Sequence, residues 1–104
     1  MCIIIEKQKK EKTMIRRYLV IAEGTVQGVG MRGFCTMQAQ MRGLSGSVRN
    51  LANGMVEIQV QGEEKTIDDF LSVIREGNRF IHIEDLRIKP IPVVESETRF
   101  TYTY

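Results

Sequence analysis

The residues of this chain best suited to chemistry stand together in one stretch, Glu23-Gly24-Thr25-Val26-Gln27-Gly28-Val29-Gly30-Met31-Arg32-Gly33-Phe34. An apolar run leads into it and a helical pattern leads out. Glycines lack a Cβ, so backbone N–H groups of such a loop can converge on one centre, and a helix start adds unpaired N–H groups and the positive end of its dipole. The chemistry this suits is the holding of an anion. Arg32 strengthens that reading, because a cation in a first helical turn meets the like sign of the dipole at a cost of a few tenths to about 1 kcal/mol. A bound phosphate or carboxylate would offset the cost. The spacing is neither a nucleotide P-loop nor a dinucleotide fingerprint. No cysteine or serine lies between Glu23 and Gly33, and Thr25 has no histidine near it in sequence, which argues against a covalent phospho-enzyme. His82, the single histidine, stands beside Glu84 and Asp85 without a zinc pattern, so no metal site and no cofactor are expected. Asn50, by residue type alone, is a turn residue whose amide ties down nearby backbone.

The elements that must position these residues follow from periodicity. Residues 16–23, with Tyr18, Leu19, Val20, Ile21 and Ala22, read as a strand buried in mid-sheet. After the loop, Met31, Phe34, Cys35, Met37, Ala39, Met41 and Leu44 recur at helical steps, with Gly43 as the stop. Residues 46–51 form a second strand, Ala52-Asn53-Gly54 a hairpin turn, and residues 55–61 a third strand in which Val56, Ile58 and Val60 alternate with polar neighbours. Thr66 resembles the cap of a second helix that presents Ile67, Phe70, Leu71, Val73 and Ile74 and stops at Gly77. A fourth strand covers residues 84–91, where Pro90 and Pro92 favour a sheet edge or strand end, and residues 99–104 make a last short strand. The order β-α-β-β-α-β plus a final strand is the α+β, ferredoxin-like arrangement of two helices on one face of an antiparallel sheet.

The loop, read as Gly-x-Val-Gln-Gly-Val-x-x-Arg, together with Gly43-Leu44-Ser45-Gly46-Ser47-Val48-Arg49-Asn50 and Asn53-Gly54-Met55-Val56-Glu57, resembles the acylphosphatase signature. The resemblance runs from about Arg16 to Tyr104 and implies the same ferredoxin-like fold. It implies a phosphate-binding loop of Gln27, Gly28, Val29, Gly30, Met31 and Arg32, and gives Asn50 the role of orienting the attacking water. An asparagine can position a water but cannot deprotonate one at neutral pH. A site with no base, metal or nucleophile suits a phosphate that already has a good leaving group, so acyl phosphates fit and plain phosphomonoesters do not. The implied reaction is hydrolysis of an acyl phosphate to carboxylate and inorganic phosphate. Gly30 and Met31 replace an aromatic pair usual in the family, and Ser47 a Trp or Tyr, so a looser loop and slower turnover are expected. The alternative is a phosphate- or ligand-binding module with little or no turnover.

Length and charge narrow the setting. One hundred and four residues suit one domain, with residues 1–14 as a polar leader and 15–104 as the folded unit. The net charge of +2 is too small to argue for nucleic acid or a membrane, and an RNA-binding sheet would need more rings than Tyr18. Residues 1–5 are too short an apolar run for a targeting signal, and Cys2 and Cys35 follow no metal spacing. A monomer in a reducing cytoplasm, with reduced thiols and no disulfide, is the expectation.

Overall fold

Strand β1, Ile15–Thr25, holds the sheet together because it has a partner on both sides. The structure, a computed structural model, describes residues 14–103; of the leader expected over residues 1–14, all but Met14 lies outside the described residues. After β1 come helix α1 (Met31–Met41), strands β2 (Ser45–Asn50) and β3 (Val56–Glu63), helix α2 (Glu64–Glu76), and strands β4 (His82–Ile91) and β5 (Phe100–Thr103). The sheet order is β4-β1-β3-β2-β5. The first four strands pair antiparallel, with Val20 opposite both Ile58 and Ile88, and Val48 opposite Ile58. β5 joins the far edge parallel to β2, so the sheet is mixed, with the α+β ferredoxin-like pattern as its centre. β4 is the other edge, which is where Pro90 can sit without breaking a central ladder.

Alternation divides the sheet into two faces. Val20, Ala22, Val56, Ile58 and Val60 point into a core shared with Met31, Cys35 and Ala39 of α1 and Ile67, Phe70 and Ile74 of α2. Phe100 brings β5 into the same core, its ring 6.3 Å from that of Phe70. On the other face the segment between β4 and β5 must travel from one edge of the sheet to the other. Four strand spacings of about 4.8 Å make some 19 Å, within reach of the eight residues 92–99 at roughly 3.3 Å each. Its polar groups are met by the sheet: Gln61 donates to the Val94 carbonyl at 2.9 Å and accepts from the Val94 N–H at 2.8 Å, while Arg17 holds the Glu97 carboxylate at 2.7 and 3.2 Å.

Two expectations need correction. Thr66 does not cap α2, because β3 runs straight into a helix whose N-cap position is Glu63, and Thr66 lies inside the first turn. Met37 and Met41 belong to no buried stripe; they are 51% and 72% exposed. At 100° per residue, Met37 sits about 240° round from Met31, so the core side of α1 is the narrower series Met31, Cys35 and Ala39. Gly43 does act as the stop: at φ +67° it follows the C-cap Arg42, its N–H donating to the Gln40 carbonyl at 3.1 Å while the Leu44 N–H donates to the Ala39 carbonyl at 3.0 Å. Among the described residues, no helix is long and apolar enough to cross a membrane.

Candidate active site

The loop between β1 and α1 takes the left-handed backbone conformation at Gly28, φ +75°, and at Gly30, φ +81°. Gly30 is also the N-cap of α1, and the first helical bond runs from the Phe34 N–H to its carbonyl at 3.0 Å. A residue with a Cβ rarely adopts this φ. The turn that starts the helix therefore favours glycine at position 30. No side chain caps α1 and no acidic residue occupies its first turn, where Arg32 stands second. The first-turn N–H groups have no intrahelical acceptor.

Asn50 comes to the same place from the other side. It ends β2, opposite Val56, where the chain turns into the β2–β3 hairpin. That turn is closed by the Leu51 N–H to the Met55 carbonyl at 2.9 Å and fastened by the Asn53 side chain, which accepts from the Met55 N–H at 3.0 Å. The turn-fastening role that residue type suggested for Asn50 thus falls to Asn53. The Asn50 carboxamide makes no hydrogen bond with another described residue. It lines a cavity of about 220 Å³ together with Val26, Gly28, Gly30, Met31, Arg32, Gly33 and Tyr102.

Five of the seven residues expected at the site, Gly28, Gly30, Met31, Arg32 and Asn50, thus meet around one cavity. Gln27 and Val29 do not line it. Val29 packs against the core, and the Gln27 amide is turned to the hairpin, donating to the Leu51 and Met55 carbonyls at 2.7 and 2.9 Å. Tyr102 was not foreseen. The Arg32 guanidinium lies 5.4 Å from the centre of its ring, within cation–π range, and Nη1 makes a long bond of 3.4 Å to the Thr103 carbonyl. The alternation of rings with threonines signals the strand but not its parallel place beside β2, which is what brings Tyr102 to the cavity.

Other chemistries find less support. Cys35 is a free thiol buried in the core, and burial pushes its pKa up to about 12, whereas His82 is exposed at the start of β4 opposite Thr25. They are not placed as a nucleophile–base pair. Among the described residues no three His, Cys, Asp or Glu side chains gather where a metal ion could be held. A larger cavity of about 410 Å³ lies by Gln61, Glu95, Glu97 and Ser45. Its Gln61 and Glu97 side chains are engaged with each other's neighbours, Val94 and Arg17, so the smaller cavity is the better candidate despite its size. At 220 Å³ it falls below the roughly 300–1,000 Å³ of drug-sized clefts and suits a small anion.

An α+β domain with a glycine loop, a helix start, an arginine and an asparagine around a small polar cavity defines the class. The Acylphosphatase family model matches residues 18–102. An acylphosphatase of Clostridium acetobutylicum is 43% identical over 91 residues, covering 88% of this chain and all of the relative. Among solved structures, the acylphosphatase from Bacillus subtilis superposes with a TM-score of 0.81 at 35% identity, covering 88% of this chain and 100% of that one. An acylphosphatase from Coxiella burnetii gives 0.80 at 30%, covering 89% and 96%. The chain belongs to the acylphosphatase family and is an enzyme of it.

Proposed function

We propose that this chain hydrolyses the carboxyl–phosphate bond of small acyl phosphates to carboxylate and inorganic phosphate without a metal. The observation that carries the reading is that Asn50, its carboxamide unengaged by other described residues, shares one cavity with Arg32 and the glycine loop. Arg32 and the loop N–H groups hold the phosphoryl oxygens by charge-assisted bonds and stabilise the charge that develops on them. The guanidinium and the helix start supply the positive charge that a metal supplies in many phosphoryl-transfer sites. Asn50 accepts a hydrogen bond from water and aims it in line with the bond that breaks. As the water oxygen bonds to phosphorus, the carboxylate leaves with the electron pair of the P–O bond, and the water proton passes to a phosphoryl oxygen. The names of the relatives support the substrate class. A monomer in the cytoplasm is part of this reading, and the free thiol of Cys35 supports the setting.

Steady-state hydrolysis of benzoyl phosphate in EDTA tests this. Turnover is expected to survive the chelator, to fall by about 10²–10³ in Arg32→Ala, the loss seen on removing one such donor, and to fall mainly in kcat in Asn50→Ala. No turnover above background in a folded parent would replace the reading with a phosphate-binding module.

A further inference from the structure

The cavity has two halves that no element of secondary structure joins. The phosphate half, Gly28 to Gly33, spans the β1–α1 loop and the first turn of α1, and the water-orienting half is Asn50 at the end of β2. The side chain of Gln27 crosses between them. Gln27 Nε2 spends both of its protons on the hairpin, one on the carbonyl of Leu51, the residue after Asn50, and one on that of Met55, across the turn. These two carbonyls flank the turn that the Leu51–Met55 bond closes, so one amide grips both legs of the hairpin.

Resting on the proposed reaction, we infer that Gln27 is a positioning residue: its amide clamps the β2–β3 hairpin to the phosphate loop and sets the distance from Asn50 to the bound phosphoryl group. The side chain does not line the cavity, so it does not touch the substrate. Its effect passes through Asn50. Because a misplacement of about 1 Å can cost 10²-fold in rate, releasing the clamp strikes the chemical step while the cradle stays whole.

Gln27→Ala and the similarly shaped Gln27→Met, which both lack the two donors, separate this from a merely structural role. With benzoyl phosphate, kcat is expected to drop 10- to 100-fold in each, while KM and the inhibition constant for inorganic phosphate stay within about threefold of the parent. The double variant Gln27→Met, Asn50→Ala is expected to match Asn50→Ala alone, since Gln27 has nothing left to position. A kcat within twofold of the parent overturns the inference, as does a double variant whose losses multiply. Should the parent itself not turn over, the proposed reaction fails and the clamp is judged by hydrogen exchange. Faster exchange at Leu51 N–H in Gln27→Met, with the α2 amides unchanged, then supports the clamp, and parent-like exchange at Leu51 overturns it.

Discussion

Arg17 and Arg32 are two guanidinium groups in opposite circumstances. Arg17 is 5% exposed, and its Nη atoms reach Glu97 at 2.7 and 3.2 Å, Gln61 at 3.1 Å and Gln59 at 2.9 Å. Arg32 is half-buried at a cavity wall, beside a ring and a distant backbone carbonyl. A charge taken out of water must find its acceptors inside the protein, or the cost runs to several kcal/mol. Arg17 has found them, and they tie it to the segment that crosses the sheet. Arg32 lines the small cavity instead. The difference separates an arginine tied into the fold from one proposed to meet the phosphoryl group.

The largest expected effect puts that separation under strain. Arg17→Ala leaves Glu97 without its partner and uncouples residues 92–99 from the sheet, so a loss of about 3–5 kcal/mol is expected, as for other buried pairs broken from one side. Arg32→Ala is expected to change stability by less than about 1 kcal/mol, since a poorly placed helix-start cation and a ring contact of similar size are lost together. Urea unfolding of both variants with the m-value checked gives the answer. An Arg32→Ala loss as large as that of Arg17→Ala would make both arginines structural.

The contrast also shows what the sequence could tell. Arg32 was legible because it sits within a few residues of the glycines that set its backbone, whereas Asn50, a turn residue by type alone, was singled out by the family resemblance. Arg17 was not, since its burial depends on Glu97, 80 residues away, and on a crossover that appears only once β5 is seen to take the far edge. Tyr102 was hidden for the same reason. Thr66 looked like a cap because the local rule is blind to a strand that passes into a helix without a loop. Met37 and Met41 looked like core because steps of three and four, when counted too generously, wind past the buried face of α1. Gln27 was legible as part of the loop, but not its grip on a hairpin 24 residues ahead.

A smaller effect tests the loop that presents Arg32. A Cβ at Gly30 would have open space around it, so the whole penalty of Gly30→Ala comes from φ +81°. About 1–2 kcal/mol is expected for a left-handed residue with a side chain. The loss should appear in both the unfolding midpoint and the affinity for inorganic phosphate, because the helix start that carries Arg32 is what shifts. Unchanged stability in Gly30→Ala, measured by urea titration, would mean that the turn has another conformation open to it and that the cradle is not fixed by glycine.

Cys35 extends the comparison to a buried group that keeps no charge at all. It lies three residues after Arg32 on the core side of α1, and burial holds its pKa near 12 against an ordinary value of 9.0. Below pH 9 the thiol is neutral in both the folded and unfolded chains, so it adds no pH dependence. Between about pH 9 and 12 the unfolded chain has given up this proton and the folded one retains it, so the unfolded state binds fewer protons and stability falls as pH rises. The slope attributable to this one group approaches about 1.4 kcal/mol per pH unit. Cys35→Ala will start less stable, because a buried side chain is cut back, but its stability should fall less steeply over that window, and the two curves should converge. Paired urea titrations at pH 8.5, 9.5 and 10.5 measure the convergence. Parallel curves would mean that the folded chain ionises Cys35 as readily as the unfolded one, and that burial under α1 excludes charge less strictly than the four acceptor contacts around Arg17 imply.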